Sequence, residues 1–311
     1  MFRLNFIILF FLLINFTAFS QNTVTIRNNN LTVKISTRGA ELQSIKDKSG
    51  VEYLWQGDSA FWGGRAPVMF PVNVRFKDEK FTYKGVEYEM PRMGLAKISD
   101  FEVIEKDPGK VVLQLESNEK TLKHYPFPFR LEIIYRLEGN RLINQFIVEN
   151  TGIETMYFVL GGHPGFRFPY AEEREKNQYV FSKKFNLSRT EISNSLVQPN
   201  QILLLKNEDS LPLGDYRIPN GGMFVKNMPS RKIGVGIIGG RTFIEVDLGD
   251  FPNVNLWSPP GMPFACIEPM VGHHDLADSP LAIEAKDYLV MLEAGGSSTY
   301  QFSIIVHGPR K

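Results

Sequence analysis

A single cysteine, Cys266, among 311 residues excludes an internal disulfide framework, so an apolar core must hold the chain, and 43% hydrophobic content is ample for one. Charge of one sign is also missing. There are 35 Lys and Arg against 34 Asp and Glu, with no basic block, which argues against nucleic acid as a partner. Beyond Ile14 no apolar run approaches the roughly 20 residues that a membrane-spanning helix needs. No sustained helical periodicity follows residue 21. The GxSxG of a nucleophilic serine, a P-loop, a CxxC and an HExxH are all absent, and "GIIGG" (236–240) lacks the strand-to-helix setting of a dinucleotide site.

What is present begins with a leader. Arg3, the apolar run Phe6 to Ile14, and Ala18 and Ser20 ahead of Gln21 have the layout of a secretory signal peptide over residues 1–20. The expectation is an exported protein, periplasmic or secreted, with no membrane attachment after cleavage. The remaining chain, 21–311, carries no repeat, linker or composition shift and reads as one domain.

Its punctuation is that of an all-β protein. "LTVKIST" and "ELQSIKD" flank "RGA", "KFTYKGVEYEM" alternates about Lys84-Gly85, and further pairs turn at "DPGK" and "EGN". Short alternating strands at this density predict a large antiparallel β-sandwich. The charged stretch "AEEREKNQ" (171–178) reads as a solvated loop.

Among groups capable of chemistry, His124 and His307 have no acid or nucleophile nearby in sequence. His273 and His274, followed by Asp275, invite a metal, but neighbours on an extended chain point to opposite sides, so no metal is assigned. Cys266 in "PFACIEP" reads as a small core residue. Glu268 interrupts that apolar strand, and a carboxylate there must be paired or useful. It is either bound to an arginine such as Arg65, Arg75 or Arg92, or a general base on a sheet floor. "VNLWSPPGMPF" adds Trp257 as an aromatic wall suited to a sugar. In "LGGHPGFRFP" a histidine, His163, is held in a turn stiffened by glycine and proline.

The order of "RGAELQSIKDKSGVEYLWQGD", "APVMFPVNVRF", "YPFPFRLEIIYRLEGNRL", "GGHPGF" and "PGMPFACIEP" resembles the aldose 1-epimerase (galactose mutarotase-like) family, small bacterial branch, from about Leu31 to Val306. The resemblance implies a galactose mutarotase-like supersandwich with a small-molecule sugar substrate in a cleft and no cofactor. It implies His163 as general acid toward the ring oxygen, Glu268 as general base toward the anomeric hydroxyl, and Arg75 as a sugar contact. An acid and a base on opposite sides of a pyranose could then open the hemiacetal together. A non-catalytic carbohydrate-binding protein on the same scaffold is the competing expectation.

Two positions depart from the family pattern. "RMGLAK" puts Met93 in place of a second sugar-contacting histidine, and a thioether accepts hydrogen bonds only weakly and donates none. A sugar-binding aspartate is replaced by Gly221 or Gly222 in "PNGGMFVKN", with Asp215 the nearest carboxylate.

Overall fold

The computed structural model describes residues 23–170 and 172–308. The leader expected over 1–20 lies outside the described residues. The fold is mostly β, as expected. A 15-stranded antiparallel sheet carries the molecule, with a three-stranded sheet (Thr23–Arg27, Leu31–Ser36, Leu42–Asp47) beside it. Among the described residues the one α-helical turn is Glu119–Leu122, capped by the Asn118 side chain.

The hairpins form where turn chemistry and alternation coincide. Lys84 and Gly85 both have positive φ, 49° and 80°, and join Lys80–Tyr83 to Val86–Glu89. Positive φ at both central residues is the turn whose twist matches its strands. Phe129–Glu138 and Arg141–Asn150 pair in register through Glu138 and Arg141, across the "EGN" turn. In Phe129–Glu138 alternate residues from Phe129 to Tyr135 are buried, so one face enters the core. A single apolar cluster runs from Val24 to Val306, so the first and last strands share one interior.

The stretch 171–178 differs from its reading as a solvated loop. Arg174 and Asn177 are buried, and Arg174 donates through Nη2 to the Ser258 carbonyl at 2.6 Å. Asn177 opens a long strand, Asn177–Ser193, which hairpins with Leu196–Pro212. Charge in the sequence concealed a buried anchor, because an arginine can satisfy its donors on backbone carbonyls and needs no solvent.

The sheet order decides what comes together. Val68–Met69, Leu160–Gly162, Phe264–Val271, Asn253–Trp257, Met223–Val225 and Asn177–Ser193 lie side by side. They are far apart in sequence, yet they supply one continuous face.

Candidate active site

Phe264–Val271 is buried along its whole length. Directly opposite Glu268 is Asn255, opposite Asn255 is Phe224, and opposite Phe224 is Thr190. Opposed residues of neighbouring strands share a face, so this row crosses the sheet on one side. Two residues from Glu268 in either direction, Cys266 and Met270 point the same way.

The "GGHPGF" turn lies over this strand. Leu160–Gly162 pairs with Met270 and Val271, whereas Gly165–Arg167 pairs with 264–266. His163 and Pro164 therefore cross above the middle of the strand, and the Pro164 carbonyl accepts from the Ile267 amide. The glycine at 161 is a matter of close approach: a Cβ there would stand 2.9 Å from the Pro269 carbonyl oxygen. The turn thus holds His163 with its Nε2 3.5 Å from Glu268 Oε1. Trp62 stacks on the imidazole, ring centroids 4.8 Å apart, and Trp257 meets it edge-on at 5.7 Å.

Glu268 is 0% exposed and His163 5%. No arginine among the described residues pairs with Glu268; its donor is Asn255 Nδ2, at 2.9 Å from Oε1. The other carboxyl oxygen and His163 Nδ1 have no hydrogen-bond partner. Burial disfavours charge on both groups, lifting the Glu268 carboxyl to about 8 and lowering the His163 imidazole to about 3. A contact with its own backbone offsets only part of the His163 shift, and the Lys97 ammonium adds to it. The pair accordingly rests neutral, a carboxylic acid beside an uncharged imidazole.

Two apolar clusters flank the pair. On the Cys266 side lie Trp55 and Phe264, with Trp62, Trp257 and Met262 packed on them. On the Met270 side lie Met69, Val197 and Phe224, with Met93, Ile192 and Leu276 against them. Met93, in a left-handed conformation (φ 62°), is thus part of an apolar wall beside the row. Arg75 is half-buried with Nε unpartnered. It sits between Asn73, which contacts Met270 Sδ, and Lys77, whose amide donates to Asp275.

Other sequence expectations fall elsewhere. Arg92 turns to Glu79 and Ser195. His124 is half-buried, held by the Glu89 carbonyl. Asp215 is engaged by Arg217 at 2.7 Å. His273 and His274 do not diverge as an extended chain would require: Gly272, with φ 69°, ends the strand, and both rings pack against Phe224. Asp275 forms a buried ion pair with Lys286, 2.9 Å, and accepts from the Tyr288 hydroxyl.

Sequence reasoning missed Asn255 and Trp62. Asn255 was accessible through the alternation of "NVNLW", which puts Asn253, Asn255 and Trp257 on one face; nothing in "FWGGRAP" marks Trp62. Of the two glycines, Gly221 and Gly222, where the resemblance implies a missing aspartate, Gly222 has no room for a side chain. A Cβ at Gly222 would stand 2.6 Å from Asn255 Nδ2, so the amide that holds Glu268 occupies that space. Gly222→Asp is therefore expected to push Asn255 off Glu268 and to destabilise the fold by about 1 kcal/mol, the worth of one buried hydrogen bond. Unchanged stability in urea denaturation would show that Asn255 can yield.

The large antiparallel sheet and its strand order are those of a galactose mutarotase-like fold. The family model for aldose 1-epimerase matches residues 22–215, and the chain belongs to that family. Protein LacX (plasmid) of Lactococcus lactis subsp. lactis is 30% identical over 264 residues, 80% of this chain and 88% of the relative. A galactose mutarotase related enzyme from Lactobacillus acidophilus superposes with a TM-score of 0.87 at 31% identity, covering 92% of this chain and 98% of that one. A galactose mutarotase-like protein from Lactobacillus casei gives 0.84 at 28% identity, covering 92% and 100%. The family acts on small sugars, so the chain has a sugar epimerase or sugar-binding role.

Proposed function

We propose that the protein interconverts the α and β anomers of a free aldose by acid–base opening of the ring. The observation that carries this reading is His163 Nε2 lying 3.5 Å from Glu268 Oε1 in a buried, otherwise apolar setting. No sugar ring fits between two groups 3.5 Å apart, so the reading proposed here sets both at one edge of the ring, in place of the opposite sides that the resemblance implies. The ring oxygen and the anomeric hydroxyl are bonded to the same carbon. A pair this close reaches both from one edge of the ring.

Opening requires a proton delivered to O5 and one removed from O1. With charge disfavoured by burial, the resting pair holds one proton on Glu268 and a free lone pair on His163 Nε2. Glu268 then gives and His163 receives, the reverse of the roles the resemblance implies, and reclosure returns the proton by the same path. Arg75, Trp257 and Trp62 orient the sugar, and Met93 contributes apolar surface. A leader over residues 1–20, removed on export to a periplasm or beyond, belongs to the same proposal; N-terminal sequencing of the processed protein tests it.

The test is polarimetry of fresh α-glucose and α-galactose with the purified protein, Glu268→Gln as control. An excess rate that disappears in the variant supports the reading. Sugar binding by calorimetry without any excess rate would favour a carbohydrate-binding protein, for which the loss of polar contacts at Met93 and Gly222 speaks.

The proton assignment has its own signature. The catalysed kcat/KM is expected to stay level from about pH 5 to 7 and fall only near pH 8, where Glu268 loses its proton. A decline that starts between pH 6 and 7 would place the working proton on an imidazolium. Met93→His is expected to raise turnover of ordinary hexoses roughly fivefold by restoring one polar contact, at a left-handed position that histidine tolerates better than most residues. An unchanged or lower rate would mean the cleft is built for another sugar.

A further inference from the structure

The site contains more than a proton-transfer pair. His163, Cys266 and Glu268 each offer a ligand atom, all three residues are buried, and these atoms lie within 4.8 Å of one another. We infer that this floor binds a thiophilic divalent cation of the zinc class through His163 Nε2, Cys266 Sγ and the Glu268 carboxylate, and that the cation blocks the site.

The donors are nitrogen, sulfur and oxygen, the set that zinc accepts, and three protein ligands with one open position is a common arrangement for it. Bonds of about 2.0–2.3 Å in a tetrahedral site put ligand atoms roughly 3.3–3.6 Å apart. The imidazole and carboxylate already stand 3.5 Å apart, so only Cys266, whose Sγ lies within 4.8 Å of both, must close in, by about 1.5 Å at most.

A second observation points to a ligand here. Glu268 is 0% exposed, yet its Oε2 has no hydrogen-bond partner, and a buried polar atom left unpaired calls for an explanation. The surroundings also behave as an outer shell: Asn255 fixes Oε1 and Trp62 fixes the plane of the imidazole. On coordination the thiol and carboxyl protons leave to solvent, and the lone pair of Nε2 is taken up by the cation. Neither proton-transfer group could then act. The binding stands independently of the proposed reaction; the blockade rests on it.

The experiment is a titration of the purified protein with Cd²⁺ alone, followed by ultraviolet thiolate-to-cadmium charge-transfer absorbance, with anomerisation rates measured in parallel. One saturable step at one equivalent per chain is expected. It should be absent in Cys266→Ser, and its midpoint at least tenfold higher in His163→Asn and in Glu268→Gln. Cys266→Ala replaces the serine variant if that one does not fold. The catalysed rate should fall with the same midpoint and return on adding a chelator. Absence of a step overturns the site, and so does a midpoint unmoved in both the His163 and Glu268 variants, which would be binding by the cysteine alone. Full rate at saturating Cd²⁺ overturns the blockade. A protein with no catalysed rate at all would instead refute the epimerase reading, with the absorbance still deciding the metal.

Discussion

Glu268→Gln is expected to abolish catalysed anomer interconversion, lowering the rate by about 10³ or more, while making the folded protein more stable at alkaline pH. The amide keeps the shape of the carboxyl group and can still accept from Asn255, but it has no proton to give. Stability follows from linkage. Burial raises the Glu268 carboxyl from its ordinary 4.5 to about 8, so over that window the folded chain keeps a proton that the unfolded chain releases. Its contribution to stability is complete below about 4.5 and is lost as the pH rises through 8. At pH 8 the loss is on the order of several kcal/mol, since each unit is worth about 1.4 kcal/mol. Glutamine has no such loss. Urea denaturation at pH 5 and pH 8 should show the wild type weakening between the two and the variant holding level; equal pH slopes would deny that Glu268 is buried as an acid. His163 works in the opposite sense. Its lowered pKa of about 3 means that stability is lost as the pH falls below 6.5 toward 3, and His163→Asn should flatten that acid limb as well as remove the catalysed rate.

Lys286→Met should cost about 3–5 kcal/mol, the usual consequence of removing one member of a buried ion pair. Lys286 reaches both carboxyl oxygens of Asp275, at 2.9 and 3.1 Å, with its side chain 1% exposed and that of Asp275 0%. Burial pushes the Asp275 carboxyl up, but the Lys77 amide, the Ser279 hydroxyl and then the Lys286 ammonium together hold it below its ordinary value. Without the ammonium group Asp275 keeps the Tyr288 hydroxyl and the Lys77 and Leu276 amides, but its charge is uncompensated. The double variant Asp275→Asn, Lys286→Met should recover a large part of the loss, because it leaves no buried charge. No recovery would locate the cost in packing instead.

The hairpins were legible in the sequence because their causes are local. Period-two alternation and a pair of turn residues such as Lys84-Gly85 fix both strands and the connection without reference to anything distant. His163 and Glu268 were legible for a related reason: each violates its local pattern, an imidazole inside a stiffened turn and a carboxylate inside an apolar strand. The long hairpin from Asn177 to Pro212 was not, since its buried anchor Arg174 lies in a run of charges that locally resembles a solvated loop.

By itself the sequence determined the all-β class; it singled out His163 and Glu268 as candidates for moving a proton, and Met93 and Gly221 or Gly222 as departures from the pattern that the resemblance implies. The tertiary structure alone decided how those groups meet. Asn255 lies opposite Glu268 through strand register. Trp62 reaches His163 from a separate loop, and the crossing of the Gly-Gly-His-Pro turn over Phe264–Val271 sets the 3.5 Å separation. Register and strand order are set by many weak contacts between segments distant along the chain, and the burial that holds the pair neutral is a property of all those segments together.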